Sequence, residues 1–316
     1  MLRRIMLVAG LAIVLAPASA QAAKPKVTTG RAVSVTPTTA TLIGSVDANR
    51  KNTTYYFDVG FTNGYGSNTV VTSVGARANP LGVSAELSQL APATTYHYRL
   101  VARNADGTSR GGHRTFRTKP QPLGVTLAAS PNPVSPPGAA TQLGGQLTGT
   151  NNAGRQVVLQ ANPFPYTQGF ATVGNPLLTD AGGNFSFPVL SLPVTTQYRV
   201  LMPQKPEVAS PVVVVGAAVR VRTDREKVAR HRHSVTVRFR GSVLPPRDGV
   251  RVLIQKLRAG QWVTIADTIA RHASARRSTY STRVRLYRSG QFRVVAESQG
   301  DYVSGAGRSL SITVRR

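Results

Sequence analysis

Through most of this 316-residue chain, short runs of alternating apolar and polar residues return about every ten residues, separated by Gly, Pro, Asn and Ser. No window sustains the 3.6-residue period of a helix. A period of two sends successive side chains to opposite faces of an extended strand. The pattern therefore predicts an all-β chain of antiparallel sandwiches. Thr38 to Val46 sets Ala40, Leu42 and Val46 on one face, Thr53 to Val59 sets Tyr55, Phe57 and Val59 together, and Leu81 to Leu87 does the same with Val83, Ala85 and Leu87. Tyr96, Tyr98, Leu100 and Ala102 share the next face, before a tight turn at Asn104-Ala105-Asp106-Gly107 and a last strand holding Phe116. There is no cysteine, which removes disulfides, thiolate metal sites, catalytic thiols and a lipid-attachment cysteine. Each module must then stabilise itself by apolar burial, which about 95 residues can supply.

The N-terminus has the three parts of a secretory signal. Arg3 and Arg4 precede an apolar run from Ile5 to Ala16, and Ala18-Ser19-Ala20 places small residues where a signal peptidase reads. Cleavage is expected after Ala20, with Ala22 or Ala23 as alternatives, and residues 1–23 are set aside as signal peptide. The run is 12 residues long, against about 20 for a spanning helix. The mature chain is therefore expected to carry no membrane span and to be secreted or associated with the cell envelope.

Two breaks divide the remainder. Lys119-Pro120-Gln121-Pro122 closes one unit, and the apolar run Val212 to Val219 leads from a second into a third, giving expected modules at 24–119, 120–217 and 218–316. Lys plus Arg against Asp plus Glu number 12 and 4, 3 and 2, and 22 and 6 in these modules. The excess of positive charge thus belongs to the first and third, where it favours contact with polyanions.

Leu90-Ala91-Pro92-Ala93-Thr94-Thr95-Tyr96-His97-Tyr98 resembles the L-x-P-x-T-x-Y stretch of fibronectin type III domains. Thr39 to Val46 and Tyr55 to Gly60 are similar to a variant found in exported bacterial proteins. The resemblance covers residues 27–119. It implies a structural role for Leu90, Pro92 and Tyr96, the last as a tyrosine corner whose hydroxyl ties the strand to nearby backbone. The tryptophan usual in the second strand of animal members is absent, with Leu42 near its place, and Ala93 stands where Gly is frequent.

The second and third modules resemble each other. Gly145-Gln146-Leu147, Val157 to Gln160 and Tyr198-Arg199-Val200 correspond to Gly241-Ser242-Val243, Val252 to Gln255 and Phe292-Arg293-Val294. The Gly-to-Gln spacing is 15 against 14 and the Gln-to-Arg spacing 39 against 38, which indicates a repeated unit. Gly260-Gln261-Trp262, with Trp262 given a structural role, is similar to the strand after the Gln in bacterial immunoglobulin-like repeats.

The search for chemistry finds no catalytic residue, cofactor or metal site. The twelve carboxylates are scattered singly, and no G-x-S-x-G elbow, P-loop or dinucleotide fingerprint occurs. His231 and His233 are flanked by Arg230 and Arg232 without a nearby carboxylate, and His97, His113 and His272 stand apart. Leu192-Pro193-Val194-Thr195 departs from a sorting signal, since Thr196 replaces the Gly and no apolar tail follows.

What remains is the placement of arginines. With Val219, Val221, Val235, Val237, Phe239, Val284 and Leu286 inward, period two sends Arg220, Arg222, Arg238, Arg240, Arg283 and Arg285 outward from three strands that neighbour one another in an immunoglobulin-like sheet. Loop residues Arg271, Arg276 and Arg277 extend the patch. A smaller basic face is expected in the first module from His97, Arg99, Arg103, Arg117 and Lys119, with His113 nearby, while Tyr56, Phe61 and Tyr65 are candidates for stacking on sugar rings. Guanidinium pairs with phosphate and carboxylate. The sequence thus predicts a monomeric, non-enzymatic scaffold or adhesion protein whose partner is an anionic polysaccharide or cell-wall polymer. Alternatives are a carbohydrate-binding accessory module, or extracellular nucleic-acid binding through the same faces.

Overall fold

The computed structural model describes residues 23–135 and 140–314. The expected signal peptide lies outside them except for Ala23. Every helix or strand assigned among the described residues is a strand, and the chain divides into two compact units at Gln121/Pro122.

The first unit contains β1 (Lys26–Thr29), β2 (Ala40–Asp47), β3 (Thr53–Gly60), β4 (Gly66–Asn68), β5 (Thr72–Gly75), β6 (Leu81–Leu87), β7 (Thr95–Asn104), β8 (Gly107–Arg110) and β9 (Arg114–Arg117). One sheet has the order β1-β2-β6; the other is β4-β3-β7-β8, with β5 also on β3 and β9 also on β7. Period two works here as expected: Leu42, Phe57, Tyr98 and Leu100 face inward with no exposed surface. Full burial of each such side chain stabilises by about 1.5–3 kcal/mol. Tyr96 makes the corner, its hydroxyl accepting the Ala91 N–H at 2.9 Å. Leu90 is buried and its N–H donates to Thr38 O at 2.9 Å, while Pro92 O accepts the Thr94 hydroxyl at 2.9 Å.

The second unit holds two sandwiches. The first contains β10 (Gly124–Val125), β11 (Ala128–Ser130), β12 (Thr141–Thr148), β13 (Gln156–Pro163), β14 (Ala171–Leu178), β15 (Asn184–Val189), β16 (Thr196–Met202), β17 (Val208–Ala209) and β18 (Val213–Val215). Strands β10, β11 and β15 pair with β12 in one sheet, and β14-β13-β16 form the other, with β17 and β18 both on β16. Leu143, Leu147, Val157, Val200 and Met202 fill the space between.

Its neighbour contains β19 (Arg220–His231), β20 (Ser234–Leu244), β21 (Arg251–Arg258), β22 (Gln261–Ile269), β23 (Arg271–Ser274), β24 (Arg277–Leu286), β25 (Gly290–Ala296), β26 (Gly305–Ala306) and β27 (Leu310–Ile312). The sheets are β19-β20-β24-β23 and β22-β21-β25, with β26 and β27 on β25. Phe239, Val243, Ile254, Phe292 and Val294 form the core.

The repeat landmark glycines sit where another backbone segment passes closely. A Cβ on Gly145 would lie 2.0 Å from Thr126 O, and one on Gly241 only 1.9 Å from Arg222 O. Gly44, in the middle of β2, meets Thr28 O in the same way at 2.8 Å.

The two sandwiches of the second unit are joined without slack. Val215, Ala217, Ala218 and Val219 are all buried. Ala218 N–H donates to Val134 O at 2.7 Å, Val303 N–H to Ala217 O at 2.9 Å, and Thr195 N–H to Asp301 O at 2.7 Å. Tyr302 packs against both cores, its hydroxyl donates to Pro193 O, and the Arg247 guanidinium lies 4.4 Å from its ring centre.

Candidate functional site

The six arginines singled out in the third module all lie in the sheet β19-β20-β24. The register sets Arg238 beside Arg283, Arg240 beside Ser281, Arg222 beside Ser242 and Arg285 beside Thr236. Alternation with the inward Val221, Val237, Phe239 and Val284 accounts for their outward side. They do not converge on one point. Arg222, Arg238 and Arg240 line an open basin of about 910 Å³, together with Arg271 and Arg277 from the β23–β24 hairpin. Arg285 lines a separate depression with Lys256, Arg258 and Arg288. Arg220 and Arg283 border neither.

Two carboxylates share this sheet face, and the reading of arginines alone missed them. The alternation that turns Arg220 and Arg222 outward continues to Asp224 and Glu226, opposite Arg240 and Arg238. Glu226 pairs with Arg238 at 3.2 Å, and Asp224 lines the basin. The other carboxylate pairs of this module involve Arg247, Arg251 and His272. Arg222, Arg240, Arg271 and Arg277 are therefore the basin cations without a carboxylate partner among the described residues. The basin wall is stiffened from inside. Tyr280 bonds Arg222 O at 3.0 Å and Thr223 Oγ1 at 2.6 Å, and burial pushes its phenol pKa up to about 12, so it stays neutral. In the other depression, burial, followed by Arg258 and Arg288, lowers the pKa of Lys256.

The smaller face of the first module is divided. β7 does pair with β9, but Arg99 donates to Asp58 at 2.7 Å and lies 4.5 Å above the Tyr65 ring, so its charge is matched. Arg117 lies opposite Thr95 at one end of β7, with Lys119 just beyond, while Arg103 lies opposite Thr54 near the other, about 26 Å away along the strand. His97 and His113 do not stand apart. Their Nδ1 and Nε2 atoms are 3.2 Å apart, and Tyr65 Oη reaches His113 Nδ1 at 3.0 Å. Of the aromatic candidates, Tyr65 is occupied by these partners, and Phe61 leans on Tyr96 at 5.1 Å while 66% exposed. His231 closes the β19–β20 hairpin opposite Ser234, and His272 pairs with Asp248 at 3.0 Å.

One arrangement recurs in all three modules. Gln160 and Arg199 are cross-strand neighbours bonded at 2.8 Å, with the guanidinium 4.4 Å from the Phe170 ring. Gln255 and Arg293 are bonded at 2.8 Å, with the guanidinium 4.5 Å from Trp262. Asp58, Arg99 and Tyr65 are the counterpart in the first module. Each of these arginines is clamped between an acceptor and a ring, which fixes its guanidinium on the sheet.

Among the described residues no three His, Cys, Asp or Glu side chains gather as metal ligands, and no helix is long and apolar enough to cross a membrane. No protein-family model matches the chain, and no curated protein matches it. Solved structures do. A tetra-tandem repeat from the extending region of a large adhesion protein is 15% identical, covering 92% of this chain and 74% of that one at a TM-score of 0.29. Three fibronectin domains of chicken CNTN1 are 15% identical over 93% and 100% at 0.30, and a three-domain segment of titin is 13% identical over 93% and 99% at 0.35. All three TM-scores lie below 0.5, and the all-β sandwich fold rests on the sheets of the chain itself.

Proposed function

We propose that the chain is a non-enzymatic, exported scaffold or adhesion protein whose third module holds an anionic polymer of the cell envelope. The observation that carries this reading is the β19-β20-β24-β23 basin, where Arg222, Arg240, Arg271 and Arg277 face solvent without a carboxylate partner. Guanidinium forks offer paired donors to phosphate or carboxylate, and an open concave floor admits a chain that passes through it. Asp224 and Glu226 make the face selective as well as attractive, because an anion must settle among the arginines and away from them.

Retention on immobilised heparin across a salt gradient tests this. The mature protein is expected to elute at lower salt when Arg222, Arg240, Arg271 and Arg277 are each changed to Gln, because fewer counterions are then released on binding. Changing Arg103 and Arg117 to Gln is expected to have a smaller effect. Equal effects of the two sets would overturn the assignment. Competition by polygalacturonate or teichoic acid supports an envelope polymer, whereas competition by DNA alone would replace it with nucleic acid.

A further inference from the structure

The first described residues are gripped at three backbone groups. Ala23 N–H donates to Asp106 Oδ2 at 2.9 Å, Asn104 Nδ2 donates to Ala23 O at 3.0 Å, and Asn49 Nδ2 donates to Lys24 O. Asn104 ends β7 and Asp106 lies in the turn to β8, more than 80 residues away in sequence. That turn is itself braced, since Asn104 Oδ1 accepts the Asp106 N–H at 2.9 Å. Gly107, at φ +136°, lets the Lys24 side chain pass where a Cβ would lie 2.9 Å from it. The Asp106 side chain is only 16% exposed and also receives Lys51 Nζ. The Lys51 bond, first, and the Ala23 bond hold its carboxyl below the usual range.

A carboxylate set at the backbone nitrogen of residue 23 binds an ammonium there more strongly than an amide. Immediately before that nitrogen stand Ala20-Gln21-Ala22, with small residues at the two positions that signal cleavage reads. We propose that export removes residues 1–22 and that Asp106, Asn104 and Asn49 form the capture site for the new α-ammonium of Ala23. The peptidase adds water across the Ala22–Ala23 amide. The C–N bond breaks, Ala22 leaves as a carboxylate, and the Ala23 nitrogen becomes an ammonium facing Asp106. This inference rests on the exported reading above and is independent of what the arginine basin binds. It selects the cut after Ala22, one of the two alternatives read from sequence, over the cut after Ala20, which would leave an amide at residue 23.

Intact mass and N-terminal sequencing of the full chain, exported by a bacterial host, test the cut. Ala23 as the first residue is expected. A first residue of Gln21, Ala22 or Lys24 overturns the proposal while leaving export standing, and an uncut chain overturns both. The capture is tested on chains that begin at Ala23 with either a free or an acetylated amine. Asp106→Asn is expected to lower the unfolding midpoint by about 2–4 °C more in the free-amine chain, and equal drops overturn the capture. In the unsubstituted chain, NMR titration of the Ala23 amine is expected to give a pKa above that of an unrestrained α-amine, and an ordinary value overturns it.

Discussion

A carbonyl oxygen decides what residue 241 can be. With Arg222 O 1.9 Å from where a Cβ would stand, any side chain must push β19 from β20. Gly241→Ala is expected to cost about 2–3 kcal/mol, read as a lower urea midpoint at unchanged slope, and Gly145→Ala to behave alike. The sequence marked both glycines through their spacing but not the cause, because the obstructing oxygens come from distant parts of the chain, Arg222 in β19 and Thr126 between β10 and β11. The carboxylates pose a similar problem. Asp248 reads as a surface acid, yet the Ser278 hydroxyl and then His272 hold its pKa down. A depressed carboxylate stabilises the fold above its unfolded pKa, about 3.9, and that contribution is lost as pH falls towards the folded value. Between pH 5 and 3, the thermal midpoint is expected to fall more steeply for the parent chain than for Asp248→Asn, followed by circular dichroism. Parallel curves would refute this role.

At the level of strands, the clamp of acceptor, arginine and ring shows what a repeat conveys. The near-constant separation of Gln160 from Arg199 and of Gln255 from Arg293 was visible in the sequence, and the structure shows why it is kept: the two are cross-strand neighbours that bond. The third example was hidden, because Asp58 replaces the amide and Tyr65 comes from the turn after β3. Arg293→Lys keeps the charge but loses the planar stack on Trp262 and the bond to Gln255. It is expected to cost about 1–2 kcal/mol in chemical unfolding, and a neutral result would show the clamp to be incidental. Alternation likewise placed the six outward arginines correctly. Followed two steps further, it would also have revealed Asp224 and Glu226. The contribution of Arg271 and Arg277 was harder to read, because a register shift between His272 and Ser274 interrupts the alternation of their hairpin.

For the whole molecule, the even rhythm of strands made three sandwiches legible, but not how the second meets the third. The Val212 to Val219 run reads as a boundary; within it Val215 and Ala217 pack into one core and Val219 into the next, while Val212 and Val214 stay exposed. Tyr302 ties the two sides together. Calorimetry is expected to show one transition for residues 122–316 and a separate one for the first unit. Tyr302→Ala, costing about 2 kcal/mol or more, is expected to split the former in two. A split already present in the parent chain would contradict the coupling.

The joint also bears on pulling. A linker with slack stretches under load before anything breaks, and so acts as a spring. Here the chain between the two sandwiches cannot lengthen until Ala218 releases Val134 and Val303 releases Ala217. A polymer tugging on the arginine basin would therefore find no give at that point, and tension would pass undiminished into the nearly neutral sandwich behind it.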